Sequence, residues 1–187
     1  MLLRRLGLIL ALGSAAFTVH AGNLDINLGS NAAYIDYAAS LTNTGLQGDL
    51  GYLHHTDRAD IGGVGLQLVG NASPVGSPLI FAVGGKLLFI SPKQFSGNGA
   101  VLGLGGNFSY TWPSYNRFLI GGELYYAPSI VSFNNADHYL QYGVRAGYEI
   151  LRNAQVYIGY RHVSAAFTRT SDITLDSTFL VGLSLTF

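Results

Sequence analysis

The sequence predicts an all-β fold, a small antiparallel up-and-down transmembrane β-barrel. Three observations lead there. Charged residues make up 11% of the 187-residue chain, against about 25% in an ordinary soluble domain, and mean hydropathy is positive. No run of 18 or more apolar residues is present to cross a bilayer as a helix. Apolar residues instead recur with a period of two, in runs of about 10 residues, the length a tilted strand needs to span a membrane. A closed barrel reconciles these facts, because alternate side chains face lipid and lumen and every backbone group is paired.

The first 21 residues read as a signal peptide. Arg4 and Arg5 supply a positive start, Leu6 to Val19 an apolar stretch too short for a comfortable span, and Val19-His20-Ala21 small residues at −3 and −1 of a cleavage site between Ala21 and Gly22. The barrel is then expected over residues 22–187, as one domain. Without Arg4 and Arg5, eight basic residues remain against ten acidic ones, a net charge of −2.

The clearest strand lies in Tyr139–Ile150. Leu140, Tyr142, Val144, Ala146, Tyr148 and Ile150 form one face, and Tyr139, Gln141, Gly143, Arg145, Gly147 and Glu149 the other. A helix would drop Arg145 and Glu149 into an apolar stripe, whereas a strand groups them with glycines. The same design recurs around Phe118–Tyr126, Val156–Arg161, Val101–Trp112 and Leu79–Phe89. Turn residues separate the runs. Thr42–Gly45, Asn71–Pro78, Pro113–Asn116 and Arg152-Asn153 read as turns on one rim; His54–Asp60, Ser91–Gly99, Pro128–Asp137 and Thr168–Asp172 read as loops on the other. Counting back from Phe187 gives nine strands, the first near Ala33–Ser40. Asn23–Leu28, with Leu24, Ile26 and Leu28 alternating with polar residues, supplies a tenth. Ten is the expected count, with eight as the alternative, since single-chain bacterial barrels have even numbers.

A soluble barrel would carry its apolar faces inside. Here charges share faces with glycines while the opposite faces carry large aromatics, the inverse arrangement. The absence of cysteine excludes a disulfide framework, thiolate metal sites and a lipid-anchored cysteine. The balanced charge points away from a nucleic-acid partner. No cofactor or metal is expected. The expected partners are outer-membrane lipids and, during biogenesis, the barrel-assembly machinery. The latter reading rests on the last strand, where Gly182, Leu185 and Phe187 fit the terminal pattern such machinery recognises by edge pairing, although Leu180 stands where a polar residue is usual.

Parity turns Asp49, Lys86, Glu123, Arg145, Glu149 and Arg161 inward. A barrel of eight to ten strands barely holds its own side chains, so these charges are expected to pair and fill the lumen. A narrow polar pore is the alternative. Tyr110, Trp112 and Phe118 flank one tight turn and are expected at a membrane interface.

Several segments taken in order resemble the YfaZ family of outer-membrane proteins: Gly84-Gly85-Lys86 with Ser91-Pro92-Lys93, Gly122-Glu123-Leu124-Tyr125-Tyr126-Ala127-Pro128-Ser129, Gly143-Val144-Arg145-Ala146-Gly147-Tyr148-Glu149, and Ile158-Gly159-Tyr160-Arg161. The resemblance is firmest over residues 80–165. It implies a small barrel in the outer membrane and transfers no catalytic residue.

Two residue groups suggest chemistry. His162 and Ser164 share the lipid-facing side of one strand and look like the His-x-Ser pair of lipid A deacylases, with Asp176 as the candidate orienting carboxylate. Ala165 stands where that family commonly has Asn, and Asp176 has the parity of the lumen. His54, His55, Asp57 and Asp60 could form a metal or acid–histidine rim site, but adjacent histidines in a strand point to opposite faces.

Overall fold

The computed structural model describes residues 20–42, 44–72, 78–94, 97–168 and 170–187. The leader reading falls largely on residues 1–19, which lie outside this set. Eleven strands follow in chain order: β1 His20–Gly29, β2 Ala32–Ser40, β3 Leu46–His55, β4 Ala59–Asn71, β5 Leu79–Pro92, β6 Gly99–Thr111, β7 Phe118–Ala127, β8 Ser132–Asn134, β9 Ala136–Leu151, β10 Ala154–Phe167 and β11 Thr170–Thr186. Ten of them pair antiparallel in one ring, β1 through β7 and then β9, β10 and β11, closed by β1 against β11. The three-residue β8 follows a short 3-10 turn at Ser129–Val131 and adds to β6 beyond the point where β7 leaves it. The ten-strand expectation holds, and the weakly patterned segment around Asn23–Leu28 is the strand that completes the circle.

Closure is visible at the chain ends. Gly22 donates its N–H to the Phe187 carbonyl at 2.6 Å, Phe187 returns the bond at 2.9 Å, and the Phe187 ring stacks on Tyr37. Gly22 and Phe187 thus share a rim with the turns at 112–117 and 152–153 and with the connection from β2 to β3. In barrels of this kind that rim is periplasmic. On the opposite rim the strands run further than the turn residues suggested. His54 and His55 lie in β3, Asp60 in β4, Ser91 and Pro92 in β5, and Asp137 and Asp172 in β9 and β11. Register explains the extension. Once β3 and β4 are paired, continuing the ladder to His54 opposite Asp60 satisfies backbone groups that a loop would leave to solvent.

The alternation sorts as expected. Leu50, Leu66, Val83, Leu104, Leu124, Val144, Ile158 and Val181 are exposed on the outer wall. Near the terminus-bearing rim that wall carries aromatics. Tyr110 meets Trp112 edge-on at 5.8 Å, and Phe118 meets Tyr148 at 5.1 Å, amphipathic rings where lipid gives way to water. On the inner wall glycines replace side chains where strands or long polar groups need the room. A Cβ on Gly84 would sit 2.0 Å from the Leu66 carbonyl oxygen of the neighbouring β4, whereas on Gly85 its nearest neighbour would be a Leu104 methyl at 3.4 Å.

We therefore expect Gly84→Ala to lower unfolding stability by about 1–3 kcal/mol, the usual cost of overpacking. Gly85→Ala should stay within about 0.5 kcal/mol of wild type. Urea unfolding of the two variants in lipid vesicles, followed by tyrosine fluorescence, reads the contrast.

Candidate functional site: the lumen charge layer

Midway along the barrel the inner wall gathers its charges, and each cation is held the same way. Lys86 from β5 lies 3.2 Å from Asp49 of β3, with its ammonium over the Tyr125 ring at 4.8 Å. Arg145 from β9 contacts Asp25 of β1 at 3.2 Å and faces the Tyr157 ring at 5.3 Å. Arg161 from β10 donates Nε to Asp176 at 2.7 Å and lies over Tyr34 at 5.1 Å. A carboxylate on one side and a π face on the other replace the water a buried cation would otherwise lose.

Amides join these clamps. Gln67 donates to Asp49 at 2.7 Å and accepts from Asn107 and Tyr125. Gln141 accepts from Tyr139 at 2.6 Å and donates to Glu123 at 2.9 Å. Asn27 accepts from Arg161 at 2.9 Å and donates to Tyr157, whose hydroxyl bonds Asp25. Glycine provides the space. A Cβ on Gly65 would overlap the Asp49 carboxylate, one on Gly121 would press on Arg145, and one on Gly182 would strike the Tyr157 ring.

The lumen differs at its two ends. A polar cavity of about 440 Å³ runs from the charge layer toward the terminus-bearing rim, where Asn23, Gln47, Gln155 and Ser184 line it. Toward the loop rim a single apolar cluster occupies the interior. It includes Leu53, Ile61, Ile90, Val101, Tyr139, Val163, Phe167 and Leu175, and it draws on nine of the ten ring strands. A chamber of about 30 Å³, lined by Tyr34, Lys86, Tyr139 and Arg161, lies between the two. It has room for one or two water molecules. Arg161 Nη2 and Asp176 Oδ1 have no bonding partner within the protein, the kind of atoms that such water satisfies.

Five of the six charges expected in the lumen thus meet a partner: Asp49, Lys86, Glu123, Arg145 and Arg161. Glu149 shares their face of β9 but lies nearer the terminus-bearing rim, outside the ion pairs found among the described residues. The acids Asp25, Asp36 and Asp176 belong to the lumen as well. Asp25 and Asp36 were legible as the polar alternates of Leu24, Ile26, Ile35 and Tyr37. Asp176 sits below a bulge at Leu175, where β10 and β11 slip by one residue between Val163 and Ser164. The bulge lets Thr174 face Ser164 but leaves Asp176 inside, fully buried on Arg161. His162 and Ser164 remain on the outer wall, His162 stacked on Tyr142 at 5.0 Å. The structure therefore does not bring His162, Ser164 and Asp176 together.

The rim histidines separate in the same manner. His54 on the outside meets Asp60 at 2.6 Å, and Lys93 reaches the same carboxylate at 3.3 Å. His55 is buried, its Nδ1 accepting the Asp57 N–H. The two rings share no site.

Removing one partner of a buried ion pair strands the other. Asp176→Asn should accordingly cost about 3–5 kcal/mol of unfolding stability. Glu123→Gln, which keeps an acceptor for Gln141, should cost less than about 1.5 kcal/mol. Denaturant titration of both variants checks the ranking.

The profile of the YfaZ family, described as YfaZ precursor, matches residues 1–187, and a precursor description fits the leader read in residues 1–21. Outer membrane protein YfaZ of Escherichia coli (strain K12) is 30% identical over 147 residues, 79% of this chain and 77% of the relative. Among solved structures, the KdgM porin in complex with disordered oligogalacturonate is 14% identical, with 90% of this chain and 99% of that one covered and a TM-score of 0.48. The NanC porin is 12% identical, with 88% and 98% covered and a TM-score of 0.45. With a family match over its whole length and a relative of the same family across most of it, the chain belongs to the YfaZ family and is an outer-membrane β-barrel protein.

Proposed function

We propose that this barrel serves the outer membrane in a structural or interaction role, with its lumen plugged by its own side chains rather than kept open as a conduit. The observation that carries this reading is the apolar cluster at the loop-side end, where Tyr139, Val163, Phe167 and Leu175 are at most 4% exposed. An ion crossing it would shed its hydration with no polar group in exchange, a dewetted barrier of the kind that gates channels. The charge layer beneath adds to the argument, because its cations already hold carboxylates and would have to release them to a solute. The polar cavity is, on this reading, a pocket with one mouth.

Planar-bilayer recording of the purified full chain tests the proposal. Wild type should be electrically silent at moderate voltage. The double variant Tyr139→Ala with Phe167→Ala should conduct, since it removes the two largest rings of the barrier while leaving the ion pairs in place. Stepwise conductance from wild type would overturn the proposal in favour of a narrow polar pore.

A further inference from the structure

The outer wall of β9, β10 and β11 departs from a uniform apolar band in two places that adjoin. The first is a cluster of rings and hydroxyls level with the lumen charge layer, on the loop side of the second. Tyr142 stacks on His162 with centroids 5.0 Å apart, Tyr160 packs on Phe179 at 5.3 Å, and Tyr142 and Tyr160 approach to 6.5 Å. The Tyr160 hydroxyl shares a 2.8 Å hydrogen bond with Ser177. Phe179 is 82% exposed, so the platform stands open to whatever surrounds the barrel. Among the described residues it contains no lysine or arginine.

The second place is a groove of about 700 Å³, apolar on nearly all its surface. It begins one residue pair closer to the termini on the same strands. Register fixes the adjacency: Tyr160 lies opposite Phe179 and Val144, and Ile158 lies opposite Val181 and Ala146. Ala146 presents a small outward side chain in the groove, and Phe118, Tyr148, Leu28, Ile158 and Val181 rise around it. From His162 to Val156 the two features run for six residues, about 20 Å at strand rise.

We propose that these features form one binding site for a glycolipid of the leaflet on the loop side. An acyl chain lies in the groove, and the sugar of the headgroup rests on the Tyr142–His162–Tyr160–Phe179 platform. The groove faces the membrane interior, so its occupant is a hydrocarbon chain. The platform narrows the class of lipid. Flat aromatic faces pair with the C–H faces of sugar rings, while imidazole and hydroxyl groups exchange hydrogen bonds with sugar hydroxyls. A site selective for the phosphate alone would present Arg or Lys. The site binds and does not cleave, because the only carboxylate suggested as a partner for His162 is committed to Arg161 inside the lumen.

Native mass spectrometry of the full chain, purified in detergent and exposed to an equal mixture of lipid A, phosphatidylglycerol and phosphatidylethanolamine, tests the site. Wild type should retain lipid A at least about tenfold over either phospholipid, equivalent to about 1.4 kcal/mol. Tyr160→Leu with His162→Leu should abolish that preference and leave phospholipid retention unchanged. Ala146→Phe, which fills the groove, should reduce retention of all three lipids. Heat-dependent gel mobility reports folding of each variant. Should the double variant not fold, Phe179→Leu, a swap between lipid-compatible residues, replaces it with the same expected loss of preference. Equal retention of the three lipids by wild type, or a preference that survives these platform substitutions, would overturn the proposal and leave the rings as a non-selective interfacial girdle.

Discussion

Three cations inside a narrow barrel, Lys86 and Arg161 buried and Arg145 partly so, constrain much of what surrounds them. Lys86, Arg145 and Arg161 each sit between a carboxylate and a tyrosine ring. An uncompensated charge in that position would cost several kcal/mol, so the partners must arrive together, some of them from strands far apart in the chain. Asp25 comes from β1 to meet Arg145 on β9, and Asn27 from β1 to meet Arg161 on β10. These contacts run across the seam where the first and last parts of the chain pair, tying lumen chemistry to barrel closure.

The same constraint accounts for the glycine content. Twenty-five glycines would weaken an ordinary sheet. Here the inward ones vacate volume for arginine, glutamine and tyrosine side chains that reach across the lumen. Outward, side chains have lipid beside them and no such restriction, so the large residues collect there. The amphipathic inversion of the chain is thus a packing requirement on the inside and a solvation requirement on the outside.

Above the charge layer the solution changes from polar to apolar, and the change gives the lumen a direction. On the terminus side a cavity remains because ten strands enclose more space than the charge layer fills. On the loop side Tyr139, Phe167 and Leu175 meet small residues such as Ala59, Ala127 and Ala165 and leave little room. Long strands that continue toward the loop rim supply the positions for this cluster. The outer wall has a direction too. On β9, β10 and β11 outward aromatic residues meet polar groups, Tyr142 with His162 and Tyr160 with Ser177, on the loop side of the apolar groove.

The alternation of residues by itself determined the barrel, the approximate strands, the outward aromatics and the inward placement of Asp49, Lys86, Glu123, Arg145, Glu149 and Arg161. Those properties are local: a strand turns successive side chains to opposite faces whatever its neighbours are. Other features depended on the tertiary structure. Lys86, Leu88 and Ile90 share one face of β5, yet only the closed ring shows that the first belongs to an ion-pair layer and the others to an apolar cluster. Asp176 was legible as a lumen residue by parity. That it serves Arg161 rather than His162 followed from the bulge at Leu175 and the register of β10 with β11. Periodicity assigns a side chain to a face, but its partner is set by register, bulges and closure, and closure joins residues more than a hundred positions apart in the chain.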